Sequence, residues 1–145
     1  MAATPRQGIF RQTRAWSAAR SRRGHDLRRD VNDYADSCIE VSEQGLTIRR
    51  YYFPLGSKHV PFEAIRSVRR VQIGPMTGQG RIWGTANPRY WANLDPARRR
   101  KNAGFIIDVG AVVRPFITPD DPNAFESALN RHISVEVQVG RSVII

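Results

Sequence analysis

Cationic and aromatic side chains concentrate between residues 66 and 101, where their types point most clearly to binding chemistry. Arginine presents a planar fork of N–H donors that matches phosphate and carboxylate groups, and aromatic rings stack on nucleic-acid bases. The candidate residues are Arg66, Arg69, Arg70, Arg81, Arg89, Tyr90, Trp91, Arg98, Arg99, Arg100 and Lys101. If the segment folds back on the strand before it, these side chains form one contact surface for an anionic ligand or a protein.

The same pattern has a structural interpretation. Arginines that alternate along a strand are typical of its solvent-facing side, and tryptophan is costly to expose. Trp83 and Trp91 therefore favour a loop that is anchored to the body of the domain. The sequence leaves the binding and the structural interpretations open.

Patterns for catalysis or metal binding are weak. His25, His59 and His132 are far apart and lack any metal-ligand spacing. Cys38 is the only cysteine, so an internal disulfide is excluded, and with no base beside it in sequence an inert buried thiol is favoured. The stretch 78–80 lacks the further glycine and the helix of a phosphate-binding loop. We expect no enzyme activity, no cofactor and no metal site.

The charge balance favours an anionic partner, but most of the excess lies at the N-terminus. The net charge is +10 and the isoelectric point is near 11.1, which suits nucleic acid, anionic lipid or an acidic protein. Residues 1–30 hold eight arginines against Asp26 and Asp30, whereas the 15 basic and 11 acidic side chains that remain leave only +4. Because just two of the 23 basic residues are lysine, a GC-rich genome explains the arginine bias as readily as a functional surface does.

Residues 1–35 predict a basic arm with too few apolar side chains to form a core. Three interpretations stay open: a disordered arm that touches nucleic acid or membrane, a short helix over 13–21 that docks Trp16, or a translation start near Val31 that makes the arm an artefact. No apolar stretch approaches the ~18 residues that cross a bilayer, and no secretory pattern is present. We therefore expect a cytoplasmic protein.

From residue 36 onward the pattern is that of strands. Ile39 and Val41 alternate with polar residues before a turn at 42–45, and β-branched and aromatic residues fill 46–53. The remaining predicted elements are strands at 60–62, 67–73 and 81–83, a helical turn at 63–65, a long loop at 74–102, and a hairpin of strands 105–108 and 112–118. Pro115 predicts that the second hairpin strand lies at a sheet edge or bulge.

One helix is predicted after residue 118. Asp121 suits its N-cap and Pro122 its first helical position. Its apolar stripe consists of Phe125, Ala128, Leu129, His132 and Ile133, so the helix should cover a sheet. The valines that alternate through residues 134–145 predict an additional strand, which either completes a sheet edge or pairs with a second protomer.

Four stretches resemble the bacterial pleckstrin-homology-like (PH-like) domain families, particularly small actinobacterial proteins of unknown function. These stretches are IEVSEQGLTIRRYYFP, PFEAIRSVRRV, WGTANPRYWANLD and VRPFITPDDPNAFESALN. The resemblance implies a mainly β fold, a PH-like barrel or roll of antiparallel strands with one C-terminal amphipathic capping helix. It also implies a non-catalytic scaffold. Phosphoinositide-binding members carry Lys or Arg around the first strand–strand turn, whereas turn 42–45 contains Glu43 and no base, so no such site is expected.

The sequence thus predicts a PH-like domain at 36–133, preceded by the arm at 1–35 and followed by a strand or tail at 134–145. The predicted function is non-catalytic interaction, either protein binding or self-association, with an unknown partner. The alternative is sequence-nonspecific binding of nucleic acid or anionic membrane through the arm and the basic loop.

Overall fold

The computed structural model describes residues 32–52 and 54–145, and this part of the chain forms two β-sheets and one α-helix. The strands are β1 (Tyr34–Ala35), β2 (Ile39–Ser42), β3 (Gly45–Tyr52), β4 (Gly56–Val60), β5 (Ser67–Gln72), β6 (Tyr90–Ala92), β7 (Ala103–Asp108), β8 (Arg114–Ile117) and β9 (Val137–Gly140). The α-helix, α1, spans Pro122–Asn130, and single helical turns occupy Phe62–Ala64, Pro75–Gln79 and Pro96–Arg100. Residues 1–31, which hold most of the predicted arm, lie outside the described residues; its last residues, Tyr34–Ala35, are β1.

The first sheet is an antiparallel meander in the order β1-β2-β3-β4. Alternating side chains of β2 and β3 enter the interior, so Ile39, Val41, Leu46 and Ile48 are fully buried. The predicted turn at 42–45 is confirmed, since Ser42 pairs with Gly45. Gly45 has a φ of 139°, and a β-carbon there would lie 2.7 Å from the Val60 carbonyl oxygen, so this tight turn requires glycine.

The second sheet has the order β6-β8-β7-β5-β9. In its centre β7 is antiparallel to both of its neighbours, β5 and β8, as predicted. Both edge strands are parallel to their neighbours, β6 to β8 and β9 to β5. The additional strand predicted within 134–145 is therefore present as β9, where it completes the edge beside β5. The described strands form two sheets that do not close into a barrel, while the mainly β character with one helix, common to the predicted barrel or roll, is confirmed.

One strand prediction is wrong, and a second is wrong in its bounds. Residues 81–83 are not a strand, because the Ile82 carbonyl oxygen accepts from the Asp95 main-chain N–H and from the Arg98 guanidinium and needs no partner strand. The strand predicted at 60–62 is the end of β4, which stops at Val60. Pro61 has no N–H to donate, and its carbonyl oxygen accepts from the Ala64 N–H in the following helical turn.

Pro115 lies inside the second sheet, in β8 between β6 and β7, so of the two predicted positions, a sheet edge or a bulge, the edge is wrong. The β7–β8 ladder contains only the pairs Phe105–Ile117 and Ile106–Phe116, so Pro115 has no partner residue in β7. The missing N–H of this proline therefore breaks no ladder hydrogen bond with β7.

The larger core lies between the two sheets and α1. Phe125 and Leu129 of α1 are fully buried and meet Phe105 of β7, with the Phe105 and Phe125 rings 4.8 Å apart in an edge-to-face contact. The predicted N-cap is confirmed, since the Asp121 side chain accepts from the N–H groups of Asn123 and Ala124. The helix thus covers the sheets, as its apolar stripe predicts.

His132 and Ile133 lie just beyond the C-terminal end of α1 and are half-buried. The His132 ring stacks on Phe62, with ring centroids 4.6 Å apart, and its Nε2 contacts the Asp33 carboxylate. This histidine therefore joins the helix end to the start of the described chain.

A smaller core lies on the opposite face of the second sheet. Its buried members are Val71, Ile73, Tyr90, Ala92, Ile106, Phe116 and Ile145. Ile145 reaches this face because residues 141–145 cross it, with the Ser142 hydroxyl donating to the Gln72 carbonyl oxygen at 2.8 Å. The segment that follows β9 is therefore part of the hydrophobic structure.

Replacing Ile145 by alanine should lower the free energy of unfolding by about 2 kcal/mol, because a 3% exposed side chain leaves the smaller core. Ile144→Ala is the matched control, since this neighbour is 65% exposed and should change stability by less than about 0.5 kcal/mol. Urea unfolding followed by tryptophan fluorescence measures both values. Equal effects of the two substitutions would contradict the burial of Ile145.

Candidate contact surface

The predicted contact residues divide into three groups by exposure. Arg66, Arg89, Arg99 and Arg100 are exposed; Arg69, Arg70, Arg81, Trp91 and Lys101 are half-buried; Tyr90 and Arg98 are buried. The Arg66 guanidinium lies against Gly110, just beyond the end of β7, whereas Arg99 and Arg100 lie just before its beginning. A six-residue strand is about 20 Å long, so the structure does not gather these exposed arginines into one patch.

Arg98 is fully buried and uses its guanidinium inside the protein. Its Nε donates to the Thr118 hydroxyl at 3.1 Å, and its Nη1 donates to the carbonyl oxygens of Arg81 and Ile82 at 2.7 and 3.1 Å. Its Nη2 donates to the main-chain and side-chain oxygens of Asn93 at 2.9 and 3.0 Å. Every N–H of the guanidinium has an acceptor, so Arg98 fastens the loop and cannot meet an external anion.

Lys101 also acts within the protein. Its Nζ lies 2.8 Å from Asp95 Oδ2, 2.7 Å from Asp120 Oδ1 and 2.6 Å from the Thr118 carbonyl oxygen. The Thr118 hydroxyl in turn donates to Asp95 Oδ2 at 2.7 Å. The predicted basic run 98–101 is therefore divided: its first and last members hold the loop to Thr118, the residue after β8, and only Arg99 and Arg100 face outward.

The charges in this network stabilise each other. Burial by itself raises the pKa of Asp95, but hydrogen bonds from Lys101 and Thr118 and the charges of Lys101 and Arg98 outweigh it, so its pKa lies below 3.8. Burial lowers the pKa of Arg98 to about 10, with Asp95 opposing the shift. Both groups are therefore ionised at neutral pH.

Other arginines of the candidate set are paired with acids or packed on the fold. Arg70 contacts Glu126 of α1 at 2.8 Å, with its guanidinium carbon 5.8 Å from the centre of the Phe105 ring. Arg69 lies against Gly140 of β9. These contacts support the structural interpretation for the arginines of β5.

Trp91 is the anchor of an aromatic cluster that the structure assembles from two distant segments. Its Nε1 donates to the Tyr51 carbonyl oxygen at 2.9 Å, and its ring meets Trp83 edge-to-face at 5.6 Å. Tyr51 meets Tyr52 edge-to-face at 5.0 Å, and Lys58 Nζ lies 5.3 and 5.9 Å from the two tyrosine rings. We call these five residues the aromatic patch.

The outer part of the aromatic patch is accessible. Tyr52 is 51% exposed and Trp83 36% exposed, and Leu55 at the tip of the β3–β4 hairpin is 74% exposed. Trp91 is half-buried and packs against the larger core. The patch therefore presents exposed aromatic rings on a half-buried base that is held by the Trp91–Tyr51 hydrogen bond.

Of the five residues of the aromatic patch, the candidate set predicted from the sequence contains only Trp91; it does not contain Tyr51, Tyr52, Lys58 or Trp83. The signal was the adjacent tyrosine pair of β3, since two successive large rings rarely both enter the core. Tyr51 is 6% exposed, so Tyr52 faces outward. The contact with Trp83 and Trp91 could not be read from the sequence, because 40 residues separate Tyr51 from Trp91.

Comparison with known proteins gives no relative: no family model, no curated protein and no solved structure matches the chain. Within residues 32–52 and 54–145, no group of three or more His, Cys, Asp or Glu side chains is placed to hold a metal ion. In the same residues, no helix is both long enough and apolar enough to cross a membrane. The candidate surface is thus defined by the geometry of this chain alone.

Replacing Arg98 by methionine should lower the free energy of unfolding by about 3–5 kcal/mol, because buried acceptors and the Asp95 charge lose their donor. The matched control is Arg99→Met, which removes an exposed arginine from the same helical turn and should change stability by less than about 0.5 kcal/mol. Chemical denaturation of both variants is the measurement. Comparable losses would contradict the assignment of Arg98 as the buried member of the run.

The free energy of unfolding should fall as the pH drops below about 4, in part through Asp95. Because the pKa of Asp95 in the folded protein lies below the reference value of 3.8, its stabilising contribution is complete above that value and is lost as the pH falls through the folded-state pKa. Asp95→Asn should therefore flatten the dependence of stability on pH below 4. The control Glu43→Gln, at an exposed turn position, should keep the wild-type slope. Denaturation series between pH 2 and 7 decide this.

Proposed function

We propose that this chain is a non-catalytic, protein-binding domain of the PH-like type and that the aromatic patch is its contact surface. The observation that carries the proposal is the exposure of Tyr52 and Trp83 on a base fixed by the Trp91–Tyr51 hydrogen bond. Tryptophan and tyrosine contribute most to protein–protein binding when they are held rigidly, since little conformational entropy is then lost on association.

The order of the elements supports the PH-like type. An antiparallel four-stranded meander is followed by a second sheet with an antiparallel β5-β7-β8 core, and α1 then covers the space between the sheets. This is the order that the sequence resemblance implies for residues 36–133. The parallel edge strands β6 and β9 are additions to that order.

The distribution of charge favours a protein partner over a polyanion for the folded part of the chain. Within the candidate set, Arg98 and Lys101 are enclosed by acceptors and acids, and Arg70 is paired with Glu126. A binding site for nucleic acid needs several cations aligned on one face to neutralise successive phosphates. The exposed arginines of the candidate set instead lie at both ends of the second sheet.

Binding of nucleic acid or anionic membrane is the alternative function, and the four exposed arginines of the candidate set favour it. These are Arg66, Arg89, Arg99 and Arg100. The predicted arm would add to this charge, although residues 1–31 lie outside the described structure. Such binding should weaken steeply with salt, whereas contact through aromatic side chains should not.

The double variant Tyr52→Ala/Trp83→Ala should bind a protein partner at least tenfold more weakly than the wild type, because aromatic hot spots contribute about 2 kcal/mol or more each. The partner is captured on the tagged full-length chain from an extract of its own cells, and its affinity is then measured by calorimetry at physiological and at high salt. The matched control is Met76→Ala/Val112→Ala, which truncates side chains that are 86% and 87% exposed elsewhere on the surface.

The alternative is tested in parallel with fluorescently labelled single-stranded DNA and vesicles that contain anionic lipid. We expect that Arg66, Arg89, Arg99 and Arg100 do not mediate binding of the folded domain to the DNA or to the vesicles. If replacement of these four residues by glutamate abolishes a salt-sensitive association while the aromatic double variant binds normally, the polyanion function replaces the one proposed.

A further inference from the structure

The two sheets that residues 32–52 and 54–145 form have four edges, and three of them carry features that disfavour pairing with another strand. β1 has two residues, and β6 has three and begins soon after Pro88. β4 contains Lys58 and is followed directly by Pro61. Short strands, lysine and proline are common protections of sheet edges. β9 lacks all of them: its sequence is Val-Gln-Val-Gly, and Val139 is 89% exposed.

The hydrogen-bond pattern shows which main-chain groups of β9 face outward. The Ile73 N–H donates to the Asn102 carbonyl oxygen, so the odd-numbered residues of β5 turn their N–H and C=O groups toward β7 and the even-numbered ones toward β9. In the parallel register, Val68 and Arg70 lie beside Val137 and Val139. Bonds from Val68 and Arg70 then reach the even-numbered residues of β9. The N–H and C=O groups of Val137 and Val139 therefore point away from β5.

We propose that a second copy of this chain occupies this edge, with the two β9 strands antiparallel about a two-fold axis through Gln138. In this register Val137 lies opposite Val139 of the second copy, and the outward N–H and C=O groups of both residues all pair across the axis. In a two-fold antiparallel pair of β9 strands, the numbers of the two residues that face each other must differ by an even number, because outward-pointing N–H and C=O groups occur only at every second residue. Among the registers that meet this condition, the one centred on Gln138 pairs all the outward groups of β9 using its own four residues.

The side chains fit this arrangement. Each exposed Val139 packs on Val137 of the second copy, on the side of the sheet that carries α1, and aliphatic pairs of this kind stabilise antiparallel strands. The two Gln138 side chains meet at the axis on the other side, where an amide can both donate and accept. Glu136 lies opposite Gly140 and Val135 opposite Arg141, so no like charges face each other.

The interface is separate from the aromatic patch, because β9 is the edge of the second sheet and Tyr52 belongs to the first. Dimerisation joins the two second sheets into one continuous sheet of ten strands, since each contributes five. If the β9 dimer does not form, the proposed protein-binding function of the aromatic patch is unaffected. If the aromatic patch binds no protein, the dimer is unaffected.

The first test is the mass of the full-length protein in solution, measured by light scattering after size exclusion and by sedimentation equilibrium over a concentration series. We expect the mass of two chains, and Val139→Lys should return the mass of one chain by placing a charge opposite Val137. Val112→Lys is the matched control, because Val112 is 87% exposed at the β7–β8 turn and its replacement should leave the dimer unchanged.

The second test fixes the register by cross-linking. Gln138→Cys places two thiols opposite each other at a pair without main-chain hydrogen bonds, where Cα atoms are about 4.5 Å apart and a disulfide forms readily on oxidation. Glu136→Cys is the control, because its two copies lie about 13 Å apart along the strands. The native Cys38 is buried and does not compete.

A single-chain mass at every concentration, with no cross-linking of Gln138→Cys, overturns the inference. It is also overturned if a dimer persists in Val139→Lys and cross-links no better through residue 138 than through residue 136, because the dimer then uses another surface.

Discussion

The buried guanidinium of Arg98 is the constraint on which the loop of residues 74–102 depends. A charged group with no exposed surface is tolerated only when every donor meets an acceptor, and here the acceptors come from positions 81, 82, 93 and 118. The loop must bring these oxygens together before the charge can be enclosed. Asp95 and Lys101 complete the network and join the loop to Thr118, the residue after β8. The irregular path of the loop is thereby determined by hydrogen bonds to the Arg98 and Lys101 side chains instead of by main-chain bonds between strands.

The position of the aromatic patch follows from that path. Once the loop is fixed at both ends, β6 runs parallel to β8 and Trp91 turns toward the first sheet, where its N–H meets the Tyr51 carbonyl oxygen. Trp83 then packs on Trp91 from the outside. The same arrangement that withdraws Arg98 and Lys101 from the surface therefore leaves Trp83 exposed on it. The loop of residues 74–102, which is basic in sequence, therefore exposes an aromatic ring.

The second sheet has buried side chains on both faces, and this gives the C-terminal residues a structural role. One face packs on the first sheet and α1, and the other is covered in part by residues 141–145 through Ile145. To reach that face the chain passes along β5 as β9, which leaves an uncharged strand as the new sheet edge. The covering of the smaller core and the exposed edge of β9 are therefore consequences of one chain path.

The sequence by itself determined the features that local chemistry decides: the turn at 42–45, where glycine takes a positive φ; the alternating strands β2 and β3; and the capped helix that begins at Pro122. Each of these depends on residues within a few positions of one another. Only the tertiary structure decided that residues 81–83 are not a strand, that the sheets stay open, and that the basic run 98–101 points half inward. These outcomes depend on partners distant in sequence, such as Thr118 for Arg98 and Tyr51 for Trp91, and a charged or aromatic side chain looks the same in sequence whether its partner is water or the protein's own backbone.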